Sequence, residues 1–198
     1  MSGNSCDDIE RLSSHESGHA WFTLDRNQVP TLLTRERGAA AEYGDGAEYC
    51  GLCEADYWTT EQDSIDFLLA GIAGEEVGRA RFGYPFNENN HEWAIILLLY
   101  HNDKMNERAM KGLGSDIELT DDLRAKYREE LAPRFEELRQ SIENSRGYDG
   151  IVQALIAAPT MGPDEISKAW LDATGEDIQL ADWMREKLDR EKHEGKSV

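Results

Sequence analysis

The sequence predicts a mainly α-helical, α+β domain with one small sheet, and three observations predict it. Apolar residues recur at helical spacing through most of the 198 residues. Helix-starting Asp, Thr and Asn residues stand ahead of those stretches. Short β-prone runs are confined to residues 29–33 and 47–56, on either side of the turn Tyr43-Gly44-Asp45-Gly46.

Taken in order, the first helix is expected over about 8–24, opened by Asp7 with Glu10 three residues on and carrying Ile9, Leu12, Ala20 and Phe22. The two short strands follow. Thr59 or Thr60 caps a second helix reaching about Phe82, with Ile65, Leu68, Leu69, Ile72 and Val77 on or near its apolar face. Within it Gly71, Gly74 and Gly78 fall on one side. An interior glycine costs a helix roughly 1 kcal/mol relative to alanine, so three together point to another backbone packed close. After Gly83-Tyr84-Pro85, the Asn-rich stretch 87–90 caps a third helix through Trp93-Ala94-Ile95-Ile96-Leu97-Leu98-Leu99-Tyr100. Being apolar on all sides, this helix is expected to be central. From Leu119 the pattern is helical and charged, with Pro133 starting a new helix after a break, and further helices over 147–158, 164–174 and 177–192. Five to seven helices and two to four strands result.

Composition narrows the function. Forty Asp and Glu against 21 Lys and Arg give a formal charge of −19, and 39% hydrophobic residues with five Trp are those of a folded protein. So negative a surface repels phosphate backbones and anionic lipid, which argues against nucleic acid or membrane as partners. The longest apolar run, Trp93 to Tyr100, is well short of the ~20 residues that cross a bilayer. The opening MSGNSCDDIE has no basic and apolar signal-like regions, and the expectation is a cytoplasmic protein. Cys6, Cys50 and Cys53 are too few for a disulfide framework.

Inside the first helix lies His15-Glu16-Ser17-Gly18-His19, an H-E-x-x-H pattern. Residues i and i+4 share a helix face, so both imidazoles can address one ion, while Glu16, turned about 100° away, addresses the attacking water. Zinc lowers the pKa of a bound water towards about 7, and a carboxylate takes its proton as the water attacks a polarised carbonyl. Amide hydrolysis is the reaction implied. Chance produces this pattern on the order of once or twice per hundred chains of this composition.

Catalytic zinc takes three protein ligands, so one is still to be found. His193 stands in a charged tail that is expected to fray. His91 and Glu92, adjacent at the start of the third helix, are the candidates; Glu92 also fits there simply as an acid at a helix N-terminus. Glu75 and Glu76, mid-helix beside the glycine face, are expected to support the site rather than ligate.

These residues resemble the peptidase domain of FtsH-type ATP-dependent zinc proteases. His15-Glu16-Ser17-Gly18-His19-Ala20 is similar to that family's zinc helix, H-E-x-G-H-A, and Leu69-Ala70-Gly71-Ile72-Ala73-Gly74-Glu75-Glu76 with Phe82-Gly83 is similar to its L-x-G-x-x-A-E-E…F-G helix. Where the family places a ligating Asp, this chain has His91-Glu92-Trp93, so the resemblance prefers Glu92 as third ligand, with His91 the alternative. Gln153-Ala154-Leu155 and Thr160-Met161-Gly162-Pro163-Asp164-Glu165-Ile166 are similar to the family's closing segment, and the likeness runs over roughly 12–171. No phosphate-binding G-x-x-x-x-G-K-[ST] loop occurs in these residues. The resemblance divides the chain into a zinc-site part over about 7–104, a C-terminal helical part over about 105–192 and a tail over 193–198.

The function expected is a zinc metallopeptidase cleaving flexible or unfolded polypeptides without its own ATPase, with one zinc on His15, His19 and Glu92 and with Glu16 as general base. The family resemblance also implies that residues 48–54 form an edge where extended substrate pairs, its acids favouring basic or neutral peptides. Cys50 and Cys53, three apart in a strand, face opposite ways and are expected to be structural. The rival reading is a degenerate, acidic binding or adaptor protein for a basic partner; a small-amide hydrolase is a third. Oligomeric state stays open.

Overall fold

A computed structural model describes residues 8–37, 50–55, 60–85, 91–113, 117–178 and 186. Cys6, the Cys50 side chain, Glu48, the turn at 43–46, the stretch 87–90, most of 177–192 and the tail lie outside that part. The elements are α1 (Ile9–Asp25), β1 (Leu32–Arg37), β2 (Cys50–Glu54), α2 (Glu61–Phe82), α3 (Glu92–Met110), α4 (Asp121–Glu143), α5 (Arg146–Ala157), β3 (Thr160–Met161) and α6 (Pro163–Thr174). The fold is thus mainly helical with a three-stranded antiparallel sheet in the order β2-β1-β3. Among the described residues no helix is long and apolar enough to cross a membrane.

Helix α1 is buried from Leu12 to Leu24 on nearly every side, although half of its residues there are polar. Serine, glycine and alanine make it thin enough to be surrounded, and two of its four buried hydroxyls find partners within the helix: Ser14 Oγ donates to the Glu10 carbonyl at 2.7 Å and Thr23 Oγ1 to the His19 carbonyl at 3.0 Å. One flank joins Phe22 to Ile65, Leu69, Ile72, Ile96, Leu138, Ile142 and Tyr148 of α2 to α5. The other joins Ala20 and Leu24 to Leu33, Cys53, Leu155, Met161 and Ile166 of the sheet, α5 and α6.

The glycine face of α2 meets α1 directly. A Cβ at Gly74 would stand 2.6 Å from the Ser14 carbonyl oxygen and 2.9 Å from Gly18 Cα, and one at Gly18 would overlap the Ala70 carbonyl. Thr60 is the N-cap of α2, its hydroxyl accepting from Asp63 N–H, and Gly83 closes the helix in the left-handed region at φ 78°.

Several expectations need correction. The cap of α1 is Asp8, whose carboxylate accepts from Arg11 N–H, one residue later than the Asp7–Glu10 pattern suggests, and Ile9 is exposed. Strand β1 starts after Pro30, which has no N–H to give to a ladder, and runs on through Thr34-Arg35-Glu36-Arg37; these polar residues conceal it, because Arg35 turns to the Leu155 carbonyl. Helix α3 is not central: Ile96 and Leu97 are buried, but Ala94, Ile95 and Leu98 face out. An apolar run shows that a helix can be covered all round, not that the chain supplies the cover. Pro133 does not break the chain, for α4 continues through it. The lost N–H costs about 3 kcal/mol in a helix interior, and burial of Leu131 and Leu138 on either side offsets it.

Replacing Gly74 by alanine is expected to destabilise the protein by about 1–3 kcal/mol despite alanine's higher helix propensity, because both nearest atoms are backbone and α1 must move away. Urea unfolding checks this; an unchanged midpoint would show that the helices do not touch at this point.

Candidate metal centre

The spacing of the H-E-x-x-H pattern on α1 places His15 and His19 one turn apart, with ring centroids 4.9 Å from each other and Nε2 atoms 3.2 Å apart. Glu92, in the first turn of α3, brings Oε1 to 3.2 Å from His15 Nε2 and 3.1 Å from His19 Nε2. Three ligand-type atoms from two helices therefore form a nearly equilateral triangle, and this group could hold a metal ion.

The far nitrogens decide what those atoms are. His19 Nδ1 lies 2.9 Å from the Phe67 carbonyl oxygen, which can only accept, so Nδ1–H donates. His15 Nδ1 lies 3.1 Å from Glu75 Oε2 and donates likewise to the carboxylate. In neutral rings held this way both Nε2 atoms are acceptors, and they converge with a third acceptor, Glu92 Oε1. A cation resolves that arrangement, which is how metal-bound histidines are fixed in tautomer and orientation.

The surroundings tune the charges. Burial pushes the His15 imidazole down, but the Glu92 charge and the hydrogen bonds to Glu75 and Glu92 raise it well above its ordinary value, so a metal at this group would compete with a proton for one nitrogen. Burial also works against the Glu92 carboxylate, yet the two imidazoles hold it well below the usual carboxylate range. For Glu75, burial is outweighed by His15 and by Arg11, and the carboxyl is lowered. Glu16 is different: burial pushes it up to about 7 against the pull of His15 and His19. It is 4% exposed.

Of the sequence candidates, His15, His19 and Glu92 come together, Glu16 stands beside them, and Glu75 backs His15. His91 does not join: it is exposed at the N-cap of α3, one residue and about 100° of helix rotation from Glu92. Glu76 is outside the group, His101 turns to the Tyr127 hydroxyl at 3.3 Å, and His193 lies beyond the described residues. Cys53 is buried, its thiol pushed up by burial and by the Glu16 and Glu54 carboxylates.

Sequence reasoning missed four contributors. Phe67 gives His19 its carbonyl acceptor and stacks its ring on the imidazole at 4.2 Å between centroids, with no motif to announce it. Arg11, one turn before His15, reaches Glu75 at 3.5 Å. Gly71 makes room for His19: a Cβ there would overlap Cε1 and Nε2 of the ring. Gly51 of β2 lies against the Glu16 carboxylate. The two glycines were visible in the sequence as a helix face and as the centre of Cys50-Gly51-Leu52-Cys53, without their targets.

Compared with known proteins, the chain matches no family model and no curated protein.

Glu75→Gln should leave the three converging atoms in place but weaken the acceptor for His15 Nδ1–H. Metal affinity, read by competition with a chromophoric chelator, is expected to fall on the order of 10–100-fold, and His19→Ala should abolish stoichiometric binding. Equal affinity of Glu75→Gln and the unaltered protein would remove Glu75 from the site.

Proposed function

We propose that the protein is a zinc-dependent metallopeptidase that hydrolyses peptide bonds in flexible or unfolded polypeptides. The observation that carries this reading is the convergence of His15 Nε2, His19 Nε2 and Glu92 Oε1 within 3.1–3.2 Å of one another, beside the buried Glu16 of the same helix.

The donor set favours zinc. Tetrahedral zinc with Zn–N near 2.0–2.1 Å has adjacent ligand atoms roughly 3.3 Å apart, close to the triangle found, and two histidines with one carboxylate leave a fourth position open. Calcium and magnesium prefer oxygen-only shells. Bound there, zinc supplies Lewis acidity towards the scissile carbonyl and the attacking water.

The chain's own residues do the rest. Glu16 accepts the proton of the attacking water on its carboxylate and returns it to the amide nitrogen as the C–N bond breaks, so no proton is lost to bulk solvent between the two events. Glu75 and the Phe67 carbonyl hold the rings of His15 and His19 in one tautomer. Strand β2 pairs with β1 on one side and touches Glu16 through Gly51, and an extended substrate added along β2 would pass the base. The similarity of His15 to Ala20 and of Leu69 to Glu76 to the zinc and supporting helices of FtsH-type peptidases supports the same reading.

Metal analysis of the purified chain is expected to give one zinc per molecule. Glu16→Gln should retain that zinc while hydrolysis of unfolded, fluorescently labelled casein, with no nucleotide added, falls on the order of 10²–10⁴-fold. Unchanged cleavage by Glu16→Gln would overturn the mechanism. A zinc-loaded protein inert towards every unfolded chain, yet stably bound to one basic partner, would establish the acidic binding reading in its place.

A further inference from the structure

We infer that Gly51 is a positioning residue for Glu16: standing opposite a bulge in β1, it presents bare backbone to the carboxylate and fixes where the base stands. The inference rests on the assignment of Glu16 as general base.

Strand pairing shows the bulge. Thr34 pairs with Leu52 and Arg37 with Cys50, so three steps on β1 match two on β2, and the irregularity falls opposite Gly51. Gly51 has φ 102°, a region that residues with a Cβ rarely adopt. A Cβ built there would overlap Glu16 Oε1 and stand 2.9 Å from Cδ and 3.0 Å from Cγ. Among the described glycines Gly51 alone combines these two properties. Gly83, Gly112 and Gly175 also have positive φ but nothing within 4 Å, whereas Gly71 and Gly74 are crowded in ordinary helical backbone.

The wall is firm, and Glu16 depends on it. Cys53, two residues on, is buried in one cluster with Ala20 and Leu24, which ties β2 to the helix that carries Glu16. Among the described residues no hydrogen bond holds the Glu16 carboxylate, and the Gly51 backbone is packed against it. Catalytic geometry is unforgiving of such shifts, a displacement of about 1 Å costing on the order of 10²-fold in rate.

The test is a thermal-melting cycle on the full chain with Gly51→Ala, Glu16→Ala and the double variant, and with Gly83→Ala as the measure of left-handed strain without a neighbour. Gly51→Ala alone is expected to lower Tm by roughly 5–10 °C, and in the Glu16→Ala background by only roughly 2–4 °C, as Gly83→Ala does. Should Gly51→Ala fail to fold, recovery of a folded double variant supports the contact. An equal cost in both backgrounds, or a double variant that does not fold, overturns it. In casein hydrolysis Gly51→Ala should lose kcat on the order of 10²-fold with zinc content and KM unchanged. The two readings separate cleanly. If Glu16→Gln remains active the base assignment falls, whatever the melting cycle gives; if Glu16→Gln is inactive and Gly51→Ala fully active, the role of Gly51 falls alone.

Discussion

The near-contact of the α1 and α2 backbones at Gly18 and Gly74, with Gly71 and Gly78 making room for the His19 and Ser14 side chains, is the constraint on which the rest of the structure depends. With alanines in their place the helices would stand further apart, and the reach of every polar partner across the interface would fail. Glu75 Oε2 would leave His15 Nδ1, and the Phe67 carbonyl would leave His19. The Tyr148 hydroxyl, now 2.8 Å from the Gly74 carbonyl and 3.3 Å from that of Ser14, would lose the groove it bridges, and with it the seat of α5. Fold and site are held by one interface, so loosening it cannot affect only one of them.

How much of this was legible follows from what local sequence encodes. The H-E-x-x-H spacing depends on 3.6 residues per turn alone, and the glycine face on the absence of side chains; both are local and both could be read. Helix depth is not local. The run from Trp93 to Tyr100 looks like a core helix, yet α3 has cover for Ile96 and Leu97 but not for Ile95 and Leu98, because what lies over a face is set by distant elements. The choice between His91 and Glu92 had the same character: neighbours in sequence, they differ by a helix rotation that the packing of α3 on α2 decides. Strand β3 is two residues long and takes its identity from pairing with Leu33 and Thr34, far away in the chain.

Helix α1 inverts the usual relation between polarity and exposure. Ser13, Ser14, Glu16, Ser17, His19 and Thr23 are buried, while apolar Ile9 is exposed. Periodicity of apolar residues would rank this helix as peripheral, and it is the most enclosed of the described helices. Sites where pattern and burial disagree in this way are where a protein gives up packing for chemistry, and here the disagreement coincides with the candidate ligands and base.

Charge closes the argument. Glu16, Glu75 and Glu92 are three buried carboxylates in a chain that already carries a formal −19, and Arg11 brings a fixed positive charge to Glu75. Carboxylates so placed must be protonated, paired or bound to a cation. Glu75 has Arg11 and His15, Glu92 has two imidazoles, and Glu16 has moved towards its neutral form. A divalent ion held by the Nε2–Nε2–Oε1 triangle would supply two positive charges beside these carboxylates and would tie α3, whose Ile95 and Leu98 are exposed, to α1. The free energy of binding such an ion would then also be free energy of folding, and it would act on the packing of α3 against α1.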